Sequence, residues 1–159
     1  MRTRTLTSAV AVITLVVASA STAAAAEPRV EEPLWNCVVS VDDPHRSHTN
    51  RQRVNVHADF KKCTRAMPSF EIAVDLYQDE RLVASERVQG TNKRKARQVA
   101  NMAPQENVWF TYHAVAKFTV EDGSEVFEKR LTSRSRQVCV GTDCPPQPGL
   151  VPRHPAATR

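Results

Sequence analysis

The sequence predicts an all-β domain built as an antiparallel two-layer sandwich of about eight short strands. Three observations support this fold class. Apolar and polar residues alternate with a period of two in several segments, turn-forming residues separate those segments, and the chain after residue 26 lacks the 3.6-residue period of an amphipathic helix. Short strands joined by turns bury their apolar faces by packing as two layers around one core, and a small barrel is the alternative arrangement.

The first 26 residues predict a secretory signal peptide. Two arginines near the start precede the apolar residues 9–20, and Ala24 and Ala26 have the spacing that a signal peptidase requires. The apolar stretch is shorter than the roughly 20 residues of a membrane-spanning helix, which favours cleavage over an uncleaved anchor. We therefore expect a secreted or extracellular protein that begins at Glu27 and has no membrane span after cleavage.

The charge of the chain after cleavage excludes some functional classes. Loss of the first 26 residues leaves 20 basic and 17 acidic residues, a net charge of +3. This excess is small for a dedicated nucleic-acid-binding domain. The remaining 133 residues are enough for one domain with its own core.

Residues 108–120 form the strongest strand pattern. The even-numbered residues (the apolar parity) are all apolar or aromatic, and the odd-numbered residues (the polar parity) are mostly polar. A strand in this segment therefore has one buried and one exposed face. Asp122-Gly123 then predicts a tight hairpin turn to residues 125–131. The apolar parity comprises Val108, Phe110, Tyr112, Ala114, Ala116, Phe118 and Val120.

Shorter segments complete the predicted sandwich. Residues 27–34 are expected to be loose, residues 35–144 to form the sandwich, and the proline-rich residues 145–159 to be a disordered tail. The other expected strands are residues 35–41, 54–60, 70–76, 81–88, 96–102 and 136–140.

The four cysteines predict two disulfides. All four lie beyond the signal, and an even number in an exported chain favours disulfides over a zinc site or a redox thiol pair. Three pairings are possible. We favour Cys37–Cys63, which joins the first two strands, together with Cys139–Cys144, which closes a short loop at the base of the tail.

The histidines are weak candidates for metal ligands. Asp42, Asp43, His45 and His48 lie close together in one loop with the chemistry to bind a divalent cation. These residue types are also ordinary turn formers, and a single loop preorganises ligands poorly. His57 and His113 fall on the polar parity of two strands, which allows them to share one outer face. The alternative is that they are ordinary exposed histidines without a function. The sequence-based prediction is that the protein has no metal site.

Motifs for catalysis are absent from the sequence. We find no nucleophile elbow, no zinc-protease helix and no glycine-rich phosphate loop, and the chain has four glycines. The sequence therefore predicts a protein that is not an enzyme and uses no cofactor.

A basic cluster is the most suggestive binding feature. Its five members lie within eleven residues around a Gly-Thr-Asn turn, and they suit an anionic polymer of the cell envelope or an acidic lipid surface. The alternative is a solvated turn whose charges deter strand aggregation. Nucleic acid is disfavoured because no aromatic residue lies in the cluster. The candidate anion-binding residues are Arg87, Lys93, Arg94, Lys95 and Arg97.

The segment at residues 64–68 is a second candidate. A disulfide at Cys63 would brace it, as rigid protease-inhibitor loops are braced, with Arg65 or Met67 as the residue offered to a protease. The alternative is an ordinary connection between strands.

The layout of the chain resembles small secreted β-sandwich proteins of actinobacteria, which have no established activity. The resemblance covers residues 35–140 and includes Trp-x-Cys at 35–37, VNVHADFKKC at 54–63 and the long strand with its EDG turn. It implies a secreted sandwich that is immunoglobulin-like in shape only, because the Cys…Trp…Cys order of immunoglobulin domains is absent. We thus expect a secreted non-enzymatic domain, envelope-associated or ligand-binding, with an anionic envelope polymer or an extracellular protein as partner. An extracellular protease inhibitor is the alternative.

We predict that the secreted protein contains no free thiol. Its intact mass should increase by four hydrogens on reduction, because all four cysteines are expected to be paired. Mass spectrometry before and after reduction measures this change, and the N-terminal peptide should begin at Glu27. Free thiols in freshly secreted material would contradict the prediction.

Overall fold

The computed structural model describes residues 29–149, and these residues form ten β-strands and no helix. Within this range no segment qualifies as a membrane-spanning helix. The predicted signal peptide and residues 150–159 lie outside the described residues. The strands are β1 (Arg29–Leu34), β2 (Cys37–Asp42), β3 (His45–Arg46), β4 (Val54–Lys61), β5 (Met67–Gln78), β6 (Arg81–Lys93), β7 (Ala96–Met102), β8 (Trp109–Asp122), β9 (Glu125–Thr132) and β10 (Arg136–Cys139).

The strands pair into two antiparallel sheets, which confirms the predicted all-β sandwich. In the first sheet, β1, β2, β4 and β7 lie side by side, and β3 pairs with β4 beyond the end of β2. In the second sheet, β6, β5 and β8 lie side by side. Both β9 and β10 pair with β8, β9 along its second half and β10 along its first four residues.

Every strand expected from the sequence is present, with three differences in detail. Residues 29–34 are not loose but form β1, since this segment pairs with β2 along its whole length. The short β3 was not expected. The turn between β8 and β9 is Gly123-Ser124 rather than Asp122-Gly123, because Asp122 still pairs with Glu125. Gly123 has φ 65°, a value that glycine adopts without steric cost.

Alternate residues of the long strands form the core. In β8 the predicted parity is buried from Tyr112 to Val120, while Phe110, nearer the end of the strand, is only partly buried. Three rings join the sheets: Phe60 of β4 packs edge-on against Phe118 of β8 at 5.2 Å and against Phe70 of β5 at 5.9 Å between ring centroids. Such edge-to-face geometry is favourable beyond the buried area alone.

The packed interior affects two residues, Gly90 of β6 and Tyr112 of β8. A Cβ added at Gly90 would lie 2.7 Å from the Phe70 ring, so the ring occupies the space that any side chain on β6 would take at this position. Burial, together with the negative charge of Asp79, raises the pKa of Tyr112 to about 12. The buried phenol therefore stays neutral at physiological pH.

Both favoured disulfides are confirmed. Cys37 bonds to Cys63, which ties the start of β2 to the second residue after β4. Cys139 bonds to Cys144 at the end of β10. No cysteine is free. Beyond the second disulfide, the carbonyl oxygen of Pro145 accepts a 2.7 Å hydrogen bond from the Trp109 indole, which anchors the first residue of the tail to β8.

We predict that the two faces of β8 differ sharply in their contribution to stability. Phe118→Ala should lower the free energy of unfolding by about 3–5 kcal/mol, because the ring is fully buried between the sheets. Thr111→Ala, on the exposed face, should change it by no more than about 0.5 kcal/mol. Urea denaturation of the two variants measures the difference, and similar losses would mean that both faces of β8 are buried.

Candidate functional site

The outer face of the first sheet carries most of the candidate residues. Because Val56, Ala58 and Phe60 of β4 point into the core, the residues between them point outward. These are His57 and Asp59. Each meets charged or polar groups from a neighbouring strand, so two small polar clusters lie along β4.

A basic turn lies where the chain crosses from the second sheet to the first. Strand β6 ends at Lys93 and β7 begins at Ala96, so the turn is Arg94-Lys95 and not the Gly-Thr-Asn segment that the sequence suggested. Lys93, Arg94 and Lys95 are all exposed. Within residues 29–149, the side chains of these three residues form no ion pair or hydrogen bond. We call these three residues the basic turn.

The other two members of the predicted basic cluster lie elsewhere and are paired. Arg87 is in the middle of β6 on the outer face of the second sheet, 3.3 Å from Glu71. Arg97 of β7 makes two hydrogen bonds to the buried carboxylate of Asp59, at 2.6 and 3.1 Å. The five predicted residues therefore do not form one surface, and only Arg97 adjoins the basic turn.

An open groove of about 500 Å³ runs from the basic turn onto the outer face of the first sheet. Its lining includes four basic side chains and one acidic side chain. At its border, a hydrogen bond from Lys61 lowers the pKa of Glu31 below its usual value. The groove is lined by Arg29, Asp59, Phe60, Lys61, Lys95, Ala96 and Arg97.

The segment at residues 64–68 exposes Arg65 but not Met67. Met67 is fully buried as the first residue of β5, so the prediction that it is offered to a protease is wrong. Arg65 lies over the Trp35 ring, 4.4 Å from its centroid, and donates a 2.7 Å hydrogen bond to Asp122. These contacts hold the segment against the β8–β9 hairpin.

The predicted loop cluster of aspartates and histidines divides into two parts. Asp43 is buried and accepts from Arg134 at 3.1 Å and from Arg136 at 2.9 Å. Asp42 instead faces His45 and, on β4, His57. The donor atoms of these three residues lie within 4.8 Å of one another.

The remaining two histidines lie outside this group of three. His48 is exposed, and its ring centroid is 5.8 Å from that of His45. His113 is on the second sheet, where it stacks on Tyr77 at 4.8 Å. The expectation that His57 and His113 share an outer face is therefore wrong, because their strands belong to different sheets.

Comparison with known proteins adds little about function. No protein-family model and no curated protein sequence matches the chain. A member of glycosyl hydrolase family 2 from Bacteroides cellulosilyticus DSM 14838 is similar at a TM-score of 0.36 and 14% sequence identity. The match covers 66% of this chain and 15% of that protein. So weak a similarity carries no functional argument, and the resemblance to secreted actinobacterial proteins stays a prediction.

Proposed function

We propose that this protein is an exported, non-enzymatic binding domain that attaches to an anionic polymer of the cell envelope. The basic turn makes the first contact, and the adjoining groove on the first sheet receives the neighbouring part of the polymer. The observation that carries the proposal is the placement of three consecutive exposed cations beside a groove with four basic side chains and one acidic side chain.

Pairing distinguishes the basic turn from the other basic residues. A ligand anion must compete with Glu71 for Arg87 and with Asp59 for Arg97, because both arginines already have carboxylate partners. The three side chains of the basic turn need to lose only water and mobile ions. Near an anionic surface, each such residue contributes about 1 kcal/mol of attraction. The attraction is additive along a polymer that carries a charge on every repeat.

The compartment is supported by the cysteines. Both disulfides join cysteines of the described domain, and disulfides persist in oxidising compartments such as the cell exterior. An envelope polymer is a partner that an exported domain can reach. Nucleic acid is a poorer candidate, because no aromatic side chain lies within the basic turn to stack on bases.

We predict that the protein binds linear polyphosphate, as a probe for anionic polymers, at low salt and releases it as salt rises. Exposed charges are screened beyond about 10 Å at 0.1 M salt, so the dissociation constant should increase steeply across this range. Reversal of the basic turn (Lys93→Glu, Arg94→Glu, Lys95→Glu) should abolish binding and leave the melting temperature nearly unchanged. Fluorescence anisotropy of labelled polyphosphate measures the affinity.

A matched control separates a local surface from net charge. Arg81→Glu, Lys117→Glu and Arg130→Glu change the charge by the same amount at exposed positions of the second sheet. This control should retain most of the binding. Equal losses in the two triple variants would mean that net charge alone attracts the polymer. Absence of binding at any salt concentration would contradict the proposal.

A further inference from the structure

Asp42, His45 and His57 meet where the first sheet changes its pairing. Strand β2 pairs with β4 as far as Val41 opposite Ala58, and β3 resumes the pairing with His45 opposite Asn55. His57 lies between these two positions on β4. Residues 43–44, between β2 and β3, do not pair with β4. Asp42 at the end of β2 and His45 at the start of β3 therefore lie close to each other.

The carboxylate of Asp42 is held in a fixed orientation. Its Oδ1 accepts a 2.5 Å hydrogen bond from the backbone N–H of His57, in place of a strand-to-strand backbone bond. This contact turns Oδ2 toward both rings, 2.7 Å from His57 Nδ1 and 3.9 Å from His45 Nδ1. Asp42 is 6% exposed. Since a buried carboxylate loses its hydration, it attracts a nearby cation more strongly than an exposed one does.

The two imidazole rings are also positioned together. They stack with their centroids 5.3 Å apart and their planes 24° apart, so both present an edge to the same carboxylate oxygen. His45 Nδ1 lies 3.1 Å from the carbonyl oxygen of Asp43, and this contact holds its ring in the metal-free protein. A ring nitrogen that binds a metal cannot donate a hydrogen bond at the same time, so Nδ1 of His45 gives up this contact when it binds a metal.

From this arrangement we propose that Asp42, His45 and His57 bind a divalent transition-metal ion, with zinc as the best fit. Two imidazole nitrogens and one carboxylate oxygen are a common set of three protein ligands for zinc, and they leave a fourth position open. Calcium and magnesium prefer oxygen ligands alone. Thiolates cannot take part, because all four cysteines are in disulfides.

Movements of roughly 1 Å form the site, since the three ligand atoms lie within 4.8 Å of one another. A tetrahedral ion bound at about 2.0–2.2 Å holds its ligand atoms about 3.3 Å apart. The distances from Asp42 Oδ2 to the two rings, 2.7 and 3.9 Å, lie on either side of this value. Both rings must release their Nδ1 protons, to Nε2 or to solvent, since the metal takes the Nδ1 lone pairs. In His57 this proton faces Asp42, and in His45 it faces the carbonyl oxygen of Asp43. His48, on the following turn, is a candidate for the fourth ligand.

This inference does not depend on the anion-binding proposal, and zinc itself is the probe. Titration of the chain, purified without a polyhistidine tag, should give saturable binding of one zinc ion per chain by calorimetry. His45→Ala and His57→Ala should each weaken binding by at least about tenfold. His113→Ala is the matched control, because its side chain is 18% exposed and that of His45 is 17% exposed. This variant should bind zinc as the wild type does.

A second measurement keeps the test independent of how the variants fold. In wild-type protein labelled with ¹⁵N, the ring nitrogen signals of His45 and His57 should shift on addition of zinc, and those of His113 should not. Absence of saturable binding, wild-type affinity in either folded variant, or unshifted ring signals of His45 and His57 would overturn the proposal.

Discussion

The burial of alternate side chains of β4 against the opposite sheet is the constraint on which both candidate sites depend. Phe60 is fixed in the core by edge contacts with Phe70 and Phe118, and a shift of one residue in register would expose it. The same register turns His57 and Asp59 outward. His57 then meets Asp42 on one side, and Asp59 meets Arg97 on the other. The core of the sandwich therefore determines which polar groups can cooperate on its surface.

Whether a basic side chain has an acidic partner depends on whether it lies within a sheet or where the chain passes from one sheet to the other. Within the sheets, several basic residues lie beside acidic residues of the neighbouring strand, as Arg87 does with Glu71 and Arg97 with Asp59. A buried carboxylate, Asp43, accepts from Arg134 and Arg136 and so connects the residue after β2 to the start of β10. In the basic turn, Lys93 is the last residue of β6 to pair with β5, and Arg94 and Lys95 pair with no strand, because the chain there passes from one sheet to the other. Excess positive charge is thus concentrated at the crossing, where a ligand can reach it.

Much of the fold could be predicted from the sequence, because each strand carries its own pattern of apolar and polar residues. The period of two in β8 and β4 directly encodes which face is buried, and all eight expected strands are present. β1 was missed because its proline and its charged residues obscure the pattern of a strand that is fixed by pairing with β2. The sites were less predictable. Asp42 and His57 are fifteen residues apart, and their contact depends on strands β2 and β4 being neighbours. His57 and His113 have the same local pattern, yet lie on different sheets.

The central claim is that ligands bind on the side of the molecule formed by the basic turn and the outer face of the first sheet. Amide chemical shifts measured by two-dimensional NMR during titration with polyphosphate test this claim most directly. The account predicts the largest changes at residues 93–97 and along the groove residues of β4. The outer face of the second sheet, around Ala73 and Lys117, should show little change. Changes centred on that second face, with the basic turn unaffected, would contradict the account.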